Sequence, residues 1–485
     1  MDRLNHRGPD ARASLQIDDL VFGFTRLAIN ALDAKGMQPL RHRGFVGVIN
    51  GEVYNHLSLR EDFGLPKAGG SDMTVVLPLF ARLGERIFER LDGFFSGVIY
   101  DSAARKLFTL RDAMGKKPLF LARSQGNFLL TSALKSAPQV EEFKEIPLGF
   151  CEIDMETGCV TRRVEPRPPE PPSAPQSLVT AIRNSIDKRT SCSDLTQFAV
   201  FVSGGLDSSI VASLVHNGPD SDRAHYYYFD DTESEDTHFA AMLLADLDVP
   251  TCRIHPVSIP TPVEMPELIS KVVQATESRN PSIISNGIGT YVLARQARAD
   301  GHKVALGGDG ADEMFCGYFD PPHFGPDTTW AASRTRLMAD LPRTEMRRID
   351  GAAMAHAIEV RCPFLDSDLR DLVQGFTEKD FYGDGPTPIR KMALRQAFAA
   401  HLPPAIIARP KQSFDRGAGI QRLAIASCTR EGDTEIAYLH KVWRDHFGDL
   451  LGHLDADPYF HAYPAFDNFI PTRGLRQTQP PENSG

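Results

Sequence analysis

At 485 residues the chain is too long for one ordinary hydrophobic core, so two or more domains are expected. Hydrophobic residues make up 42% and charged residues 24%, with a net charge of −10, which suits a soluble globular protein and argues against a general binder of nucleic acid or membrane surfaces. No stretch approaches the roughly 18–20 uninterrupted apolar residues of a membrane span. The N-terminus, Met1 to Asp10, has no apolar secretion-signal core, so a cytoplasmic location is expected. The seven cysteines (151, 159, 192, 252, 316, 362 and 428) form no Cys-x-x-Cys pair, and their odd number disfavours a disulfide framework. They read as free thiols, and structural zinc is not expected.

In chain order, residues 1–164 present short strand-like segments separated by turn residues: Leu20–Arg26, Phe45–Asn50, Phe94–Asp101, Lys106–Arg111, Pro118–Ala122 and Asn127–Thr131. One helix is predicted among them, Ser71–Leu83, and the spacing predicts an antiparallel β-rich domain. Residues 165–176 hold six prolines in twelve positions and read as a semi-rigid linker. From 177 to 473 strands alternate with helical stretches, as in Leu178–Lys188, Ala224–Phe229, Thr237–Ala245, Gly289–Ala299 and Val304–Leu306. That alternation predicts a parallel α/β sheet, with ligands at the carboxyl ends of its strands. The tail, 474–485, is expected to be disordered, and no internal repeat is visible.

The most informative passage is Phe198-Ala-Val-Phe-Val-Ser-Gly-Gly-Leu-Asp-Ser-Ser209. An apolar strand ends in a small-residue turn, and a helix follows. Gly204 and Gly205 let backbone N–H groups approach a phosphate, hydroxyls of Ser203, Ser208 and Ser209 add donors, and the helix start adds a favourable dipole. No Gly-Lys-Ser/Thr follows, so this is not a Walker loop. It resembles the pyrophosphate loop of N-type ATP pyrophosphatases, which implies cleavage of ATP between the α and β phosphates. Asp207 would then help to hold Mg²⁺, a hard cation that prefers carboxylate and phosphate oxygens.

In the first half, His6-Arg7-Gly8-Pro9-Asp10, Asn50-Gly51-Glu52-Val53-Tyr54-Asn55 and Gly70-Ser71-Asp72 stand out, with Arg111-Asp112 and Pro118-Leu119 later. Singly, Asn-Gly is a hairpin signal and Ser-Asp a helix cap. Together they resemble the class II (N-terminal nucleophile) glutamine amidotransferase domain. With the loop at 203–209, the order resembles the glutamine-hydrolysing asparagine synthetase family. Further along, the resemblance is carried by Gly307-Gly308-Asp309-Gly310-Ala311-Asp312-Glu313 with Gly317-Tyr318, Met354 with Glu359-Val360-Arg361-Cys362-Pro363-Phe364-Leu365-Asp366, Lys391-Met392-Ala393-Leu394-Arg395 and Arg409-Pro410-Lys411-Gln412.

The resemblance implies an adenine-nucleotide α-hydrolase-like synthetase domain that adenylates a carboxylate, the aspartate side chain first among candidates, for attack by ammonia. ATP and pyrophosphate would be held by Val202, Ser203, Gly204, Gly205, Asp207, Ser208, Gly307 and Gly308, and Mg²⁺ by Asp207 and Asp312. Lys411 would stabilise charge at the α-phosphorus, and Asp309 would take a proton from ammonia or orient the intermediate. Arg26, Asn50, Gly51, Glu52 and Asp72 would form the glutamine pocket, with Arg26 on the α-carboxylate, Asp72 on the α-ammonium, and Asn50 and Gly51 as the oxyanion hole. A homodimer is implied by resemblance alone.

Two departures set further expectations. The family nucleophile is an N-terminal Cys a few tens of residues before the His-Arg-Gly-Pro-Asp passage, whereas here that passage begins at residue 6 and the first cysteine is Cys151. An N-terminally truncated domain is therefore expected, and a chain that uses free ammonia rather than glutamine. Where relatives commonly carry an arginine, this chain has Ser285 within Asn280-Pro-Ser-Ile-Ile-Ser-Asn-Gly287, which leaves the acceptor open. Alternatives are amidation of a sugar acid or natural-product carboxylate, a β-lactam synthetase-like ring closure, and a non-catalytic nucleotide-binding pseudoenzyme.

Overall fold

The computed structural model describes residues 1–66, 69–137, 139–171, 177–191, 193–231, 233–318, 329–430 and 432–462. Cys192, positions 172–176 of the proline-rich stretch and the tail at 474–485 lie outside the described residues.

The first half is built on a six-stranded antiparallel sheet in the order Val160–Val164, Gly149–Ile153, Lys106–Arg111, Gly93–Asp101, Phe45–Val53 and Leu40–His42. Gly93–Asp101 is buried along almost its whole length, which is why it reads as a continuous apolar run rather than an alternating one. The short helix Val76–Leu83 packs Leu77, Leu79 and Phe80 into the core that contains Ile49, Phe95 and Leu110. A hairpin, Ala11–Ile17 with Leu20–Arg26, turns through Asp18 in the left-handed region (φ 49°). A three-stranded antiparallel sheet, with Phe120–Ser124 between Asn127–Thr131 and Glu142–Glu145, completes this half.

The second half carries a five-stranded sheet, wholly parallel, in the order Ile254–Ser258, Ala224–Asp230, Phe198–Phe201, Val304–Leu306 and Glu359–Arg361. Helices cover both faces, and two buried clusters form, one around Ile210, Leu214 and Leu306, the other around Ile269, Ile288 and Trp443. From Phe198–Phe201 the chain moves outward through Ala224–Asp230 to Ile254–Ser258, then returns to add Val304–Leu306 on the other side. The strand order thus reverses between Phe198–Phe201 and Val304–Leu306, and a crevice opens at their carboxyl ends.

Both expected sheet classes are present. The structure adds strands that the pattern reading did not contain: Ala11–Ile17, Leu40–His42, Glu142–Glu145, Gly149–Ile153, Val160–Val164, Ile254–Ser258 and Glu359–Arg361. It also corrects boundaries. The strand predicted from Pro118 begins at Phe120, because Pro118 has no N–H to give a ladder. The helix predicted from Ser71 opens as a 3₁₀ turn, Asp72–Val75, and the one predicted from Gly289 begins at Pro281, where the Asn280 side chain caps the N–H groups of Ser282 and Ile283.

Candidate active site

The crevice is lined by Val202, Ser203, Gly205, Asp207, Ser208, Gly307, Gly308, Asp309, Asp312 and Lys411, so the passages at 202–208 and 307–312 meet there. Helix Leu206–His216 starts at Gly205 with no side-chain cap, leaving its first-turn N–H groups open to an anion. The Ser203 N–H donates to Ser208 Oγ at 3.1 Å, and the two hydroxyl oxygens are 3.0 Å apart. A Cβ on Gly308 would stand 2.7 Å from the Ser208 nitrogen, so only glycine lets this second loop lie across the helix start. Gly204 (φ +69°) has a different neighbour: a Cβ there would meet the backbone nitrogen of Ala240 at 2.6 Å, so it packs the loop against helix Glu235–Asp246.

Four charged groups form a buried chain beside the loop. Lys391 Nζ lies 2.5 Å from Asp207 Oδ2 and 2.6 Å from Asp312 Oδ1, while Lys411 Nζ lies 2.5 Å from Asp312 Oδ2. Burial raises the Asp312 carboxyl, but Lys391 and Lys411 outweigh it and hold it at about 2. Asp207 goes the other way: burial, with help from the Asp312 charge, lifts its carboxyl above the ordinary range despite Lys391. Asp207 Oδ1 is buried without a hydrogen-bond partner among the described residues. Two carboxylates converging on one cation, one with an unsatisfied oxygen, fit Mg²⁺, which takes one or two carboxylates and fills its shell with phosphate and water. Glu313, next to Asp312, is pushed up to about 8 by burial and then by Glu345 and Asp312, and Tyr318 donates to it at 2.6 Å.

At the other end of the crevice, Arg348 Nη2 donates to Asp309 Oδ1 at 2.7 Å and Nη1 to Thr290 Oγ1 at 2.9 Å, and the same guanidinium also pairs with Glu345. Asp309 Oδ2 sits over Gly307, 2.6 Å from where a Cβ would be. Ser285, in contrast, is buried and donates to Asp415 Oδ2 at 2.6 Å, off the crevice lining. Lys391 and Arg348 received no role from the sequence. Lys391 carried a weak signal, its position within a family-like segment, but the partners of Arg348 lie 39 and 58 positions away and left none.

Arg26, Asn50, Gly51, Glu52 and Asp72 gather in a second pocket, in the antiparallel half. Asn50 Nδ2 is buried without a hydrogen-bond partner among the described residues, a donor aimed at nothing in the protein. Gly51 has φ +126°, and a Cβ would stand 2.0 Å from the Phe94 carbonyl oxygen. Asp72 accepts from the Val53 N–H at 2.7 Å, and burial lifts its carboxyl to about 6. Two expected roles are constrained. The Arg26 guanidinium is turned onto the carbonyls of Asn30, Ala31 and Asp33 rather than held out as a free fork. Glu52 accepts from Asn30 at 2.5 Å and pairs at 3.2 Å with Arg361 of the parallel-sheet half. No cysteine is among the residues lining this pocket.

An uncapped phosphate-type loop at a sheet switch point, joined to a β-rich half with its own polar pocket, defines a two-part carbon–nitrogen ligase. Residues 1–147 match a glutamine amidotransferase domain, and residues 178–347 and 327–434 match asparagine synthase. The chain belongs to the asparagine synthase family. Asparagine synthetase B [glutamine-hydrolyzing] of Escherichia coli (strain K12) is 28% identical over 453 residues, 86% of this chain and 78% of its own. The probable asparagine synthetase [glutamine-hydrolyzing] of Schizosaccharomyces pombe is 29% identical over 489 residues, 91% of this chain and 86% of its own. The asparagine synthetase [glutamine-hydrolyzing] of Sandersonia aurantiaca is 30% identical over 444 residues, 86% of this chain and 82% of its own.

Proposed function

We propose that the chain uses ATP to adenylate a carboxylate, with the aspartate side chain as its first acceptor, and passes the acyl group to ammonia. The observation that carries this reading is the Asp207–Lys391–Asp312–Lys411 chain beside open helix-start amides. A carboxylate oxygen attacks the α-phosphorus and pyrophosphate leaves. Ammonia then attacks the acyl carbon, AMP leaves, and the amide forms. Ser203, Ser208 and the amides of Gly205 and Leu206 cradle the pyrophosphate, and Lys411 stabilises charge as it leaves. Bound through Asp207 and Asp312, Mg²⁺ supplies neutralising charge on the phosphates. Asp309, oriented by Arg348, takes the proton that ammonia loses. Working domain limits of 1–164 and 177–473 follow the two sheets.

The glutamine side rests on Asn50 and Gly51 as oxyanion donors and on Asp72 for the α-ammonium. With no cysteine lining the pocket, free ammonia is the nitrogen donor of this 485-residue chain. Glutamine-dependent glutamate release by it would overturn that point.

The buried Ser285 keeps a second acceptor in view, a sugar acid or other natural-product carboxylate. Pyrophosphate and AMP release across aspartate, other amino acids, sugar acids and carboxyethyl amino acids decides between them. A signal elsewhere with none for aspartate moves the acceptor, and release from a carboxyethyl amino acid without ammonia indicates ring closure. Silence with every acceptor leaves a nucleotide-binding protein without catalysis. A homodimer rests on family likeness, and sedimentation equilibrium tests it.

A further inference from the structure

A third cavity, of about 720 Å³, shares no lining residue with the two pockets above. It lies at the seam of the two halves, between the 3₁₀ helix Asp2–Arg7 and the turn Leu134–Ser136 on one side and helices Met265–Thr276 and Glu435–Leu451 on the other. Six basic side chains line it: Arg3, His6, Lys135, Lys271, Arg444 and His446. Two acids, Asp445 and Asp449, oppose them.

The partners of these cations matter more than their number. Lys271 is paired with Glu267 and Arg444 with Asp455, both at the exposed rim. Arg3 and Lys135 hold only carbonyl oxygens: Arg3 Nη1 donates to Lys135 at 3.2 Å and Ala137 at 2.5 Å, and Lys135 Nζ to Gln274 at 2.9 Å and Ala275 at 3.1 Å. Carbonyls orient an ammonium or guanidinium without cancelling its charge. The nearest carboxylate to Lys135, Glu277, is engaged by the backbone N–H groups of Leu134 and Lys135. His446 is hydrogen-bonded to Ser270 at 2.8 Å. The titration of the site agrees with an excess of positive charge. Burial, then Lys135 and Arg7, press His6 down to about 3, and burial holds Lys135 near 8 even with Glu277 beside it.

We propose that this groove binds a small phosphorylated metabolite, with the phosphate between Arg3 and Lys135 and the body of the molecule toward Tyr291. The chemistry is charge-assisted hydrogen bonding to a compact dianion in a partly desolvated cleft. The volume exceeds what inorganic phosphate alone would fill, which favours an ester. His6 belongs to the His-Arg-Gly-Pro-Asp passage, and its neighbour Arg7 pairs with Asp350 of the other half at 2.7 Å, so the ligand would brace the seam.

The test is calorimetric titration of the full chain with glucose 6-phosphate, with glucose as the uncharged control. The expected result is saturable binding of the ester and none of glucose. Gln274→Glu, which places a negative charge on an exposed lining position, is expected to weaken binding about five- to tenfold, and Arg3→Gln to do the same. Asp449→Asn is expected to tighten it about two- to threefold. Lys411→Gln, in the crevice, is expected to leave it unchanged. No saturable binding, equal binding of glucose, or a response to Lys411→Gln without one to Gln274→Glu would each overturn the proposal. Because Gln274 and Asp449 are exposed, their variants keep the test clean should Arg3→Gln loosen the N-terminal turn.

Discussion

Lys391 shows how much of the site depends on single side chains. It is 2% exposed, adopts φ +58°, and neutralises two aspartates at once. Lys411 touches only Asp312 of that pair, is more exposed, and faces the crevice. It is therefore the cation free to follow charge onto departing pyrophosphate. Lys411→Ala is expected to lower acceptor-dependent pyrophosphate release by about 100-fold or more, the usual scale for removing a preorganised charge-stabilising donor. A loss under about threefold in a steady-state assay would place it outside the chemistry.

A second residue-scale prediction concerns pH. His302 is 3% exposed and lies among His225, His255, Tyr227 and Asp300, with the His225 ring centroid 4.9 Å away. Burial, then the His225 charge, lowers its pKa from 6.5 to about 4. The folded value lies below the unfolded one. Its contribution to stability is therefore present above pH 6.5 and is lost as the pH falls toward 4. His302→Asn is expected to remove about 1–2 kcal/mol of acid sensitivity across that window, discounted for partial solvent screening. Urea denaturation at both ends of the window measures it, and parallel curves for both proteins would refute it.

At the scale of elements, backbone freedom is placed where loops must touch. Gly308→Ala would drive a methyl into the start of helix Leu206–His216, and nucleotide affinity is expected to fall at least about tenfold. Gly448, inside helix Glu435–Leu451, has nothing within 4 Å of a built Cβ. Gly448→Ala is therefore expected to stabilise the chain by about 0.5–1 kcal/mol in thermal unfolding. The same scale explains which strands a reader of the sequence finds. Lys106–Arg111, Asn127–Thr131 and Val304–Leu306 were readable to the residue because apolar runs end at turn residues. Ile254–Ser258 was not, because Pro256 interrupts it, and a proline is tolerated there only because the strand lies at the sheet edge. Glu359–Arg361 was hidden for another reason. Its end residues are charged, and they are buried only because partners from both halves meet them.

Those partners dominate the scale of the whole molecule. Glu52 pairs with Arg361, Arg361 with Glu359, Glu359 with Lys117, and Lys117 with Asp350, which also holds Arg7. A nearly continuous ion-pair chain thus runs from the second pocket across the seam. Removing one member leaves buried charge uncompensated, so Arg361→Met is expected to cost about 3–5 kcal/mol in chemical denaturation. It is also expected to loosen the pocket around Glu52. A change under about 1 kcal/mol would show that water replaces the pair.

By itself the sequence determined the two sheet classes, the phosphate-type loop and the residues gathered in each pocket, because these follow from local patterns: apolar runs, turn residues, and glycines where backbones must meet. Tertiary structure alone decided which charges those residues meet. It set Lys391 between Asp207 and Asp312, turned Arg26 onto carbonyls, took Ser285 off the crevice to Asp415, and supplied Arg348 to Asp309. The physical reason is that a buried charge is tolerated only beside its partner, and these partners come from segments tens to hundreds of residues apart. Local pattern specifies the loop, and only the folded chain specifies its electrostatics.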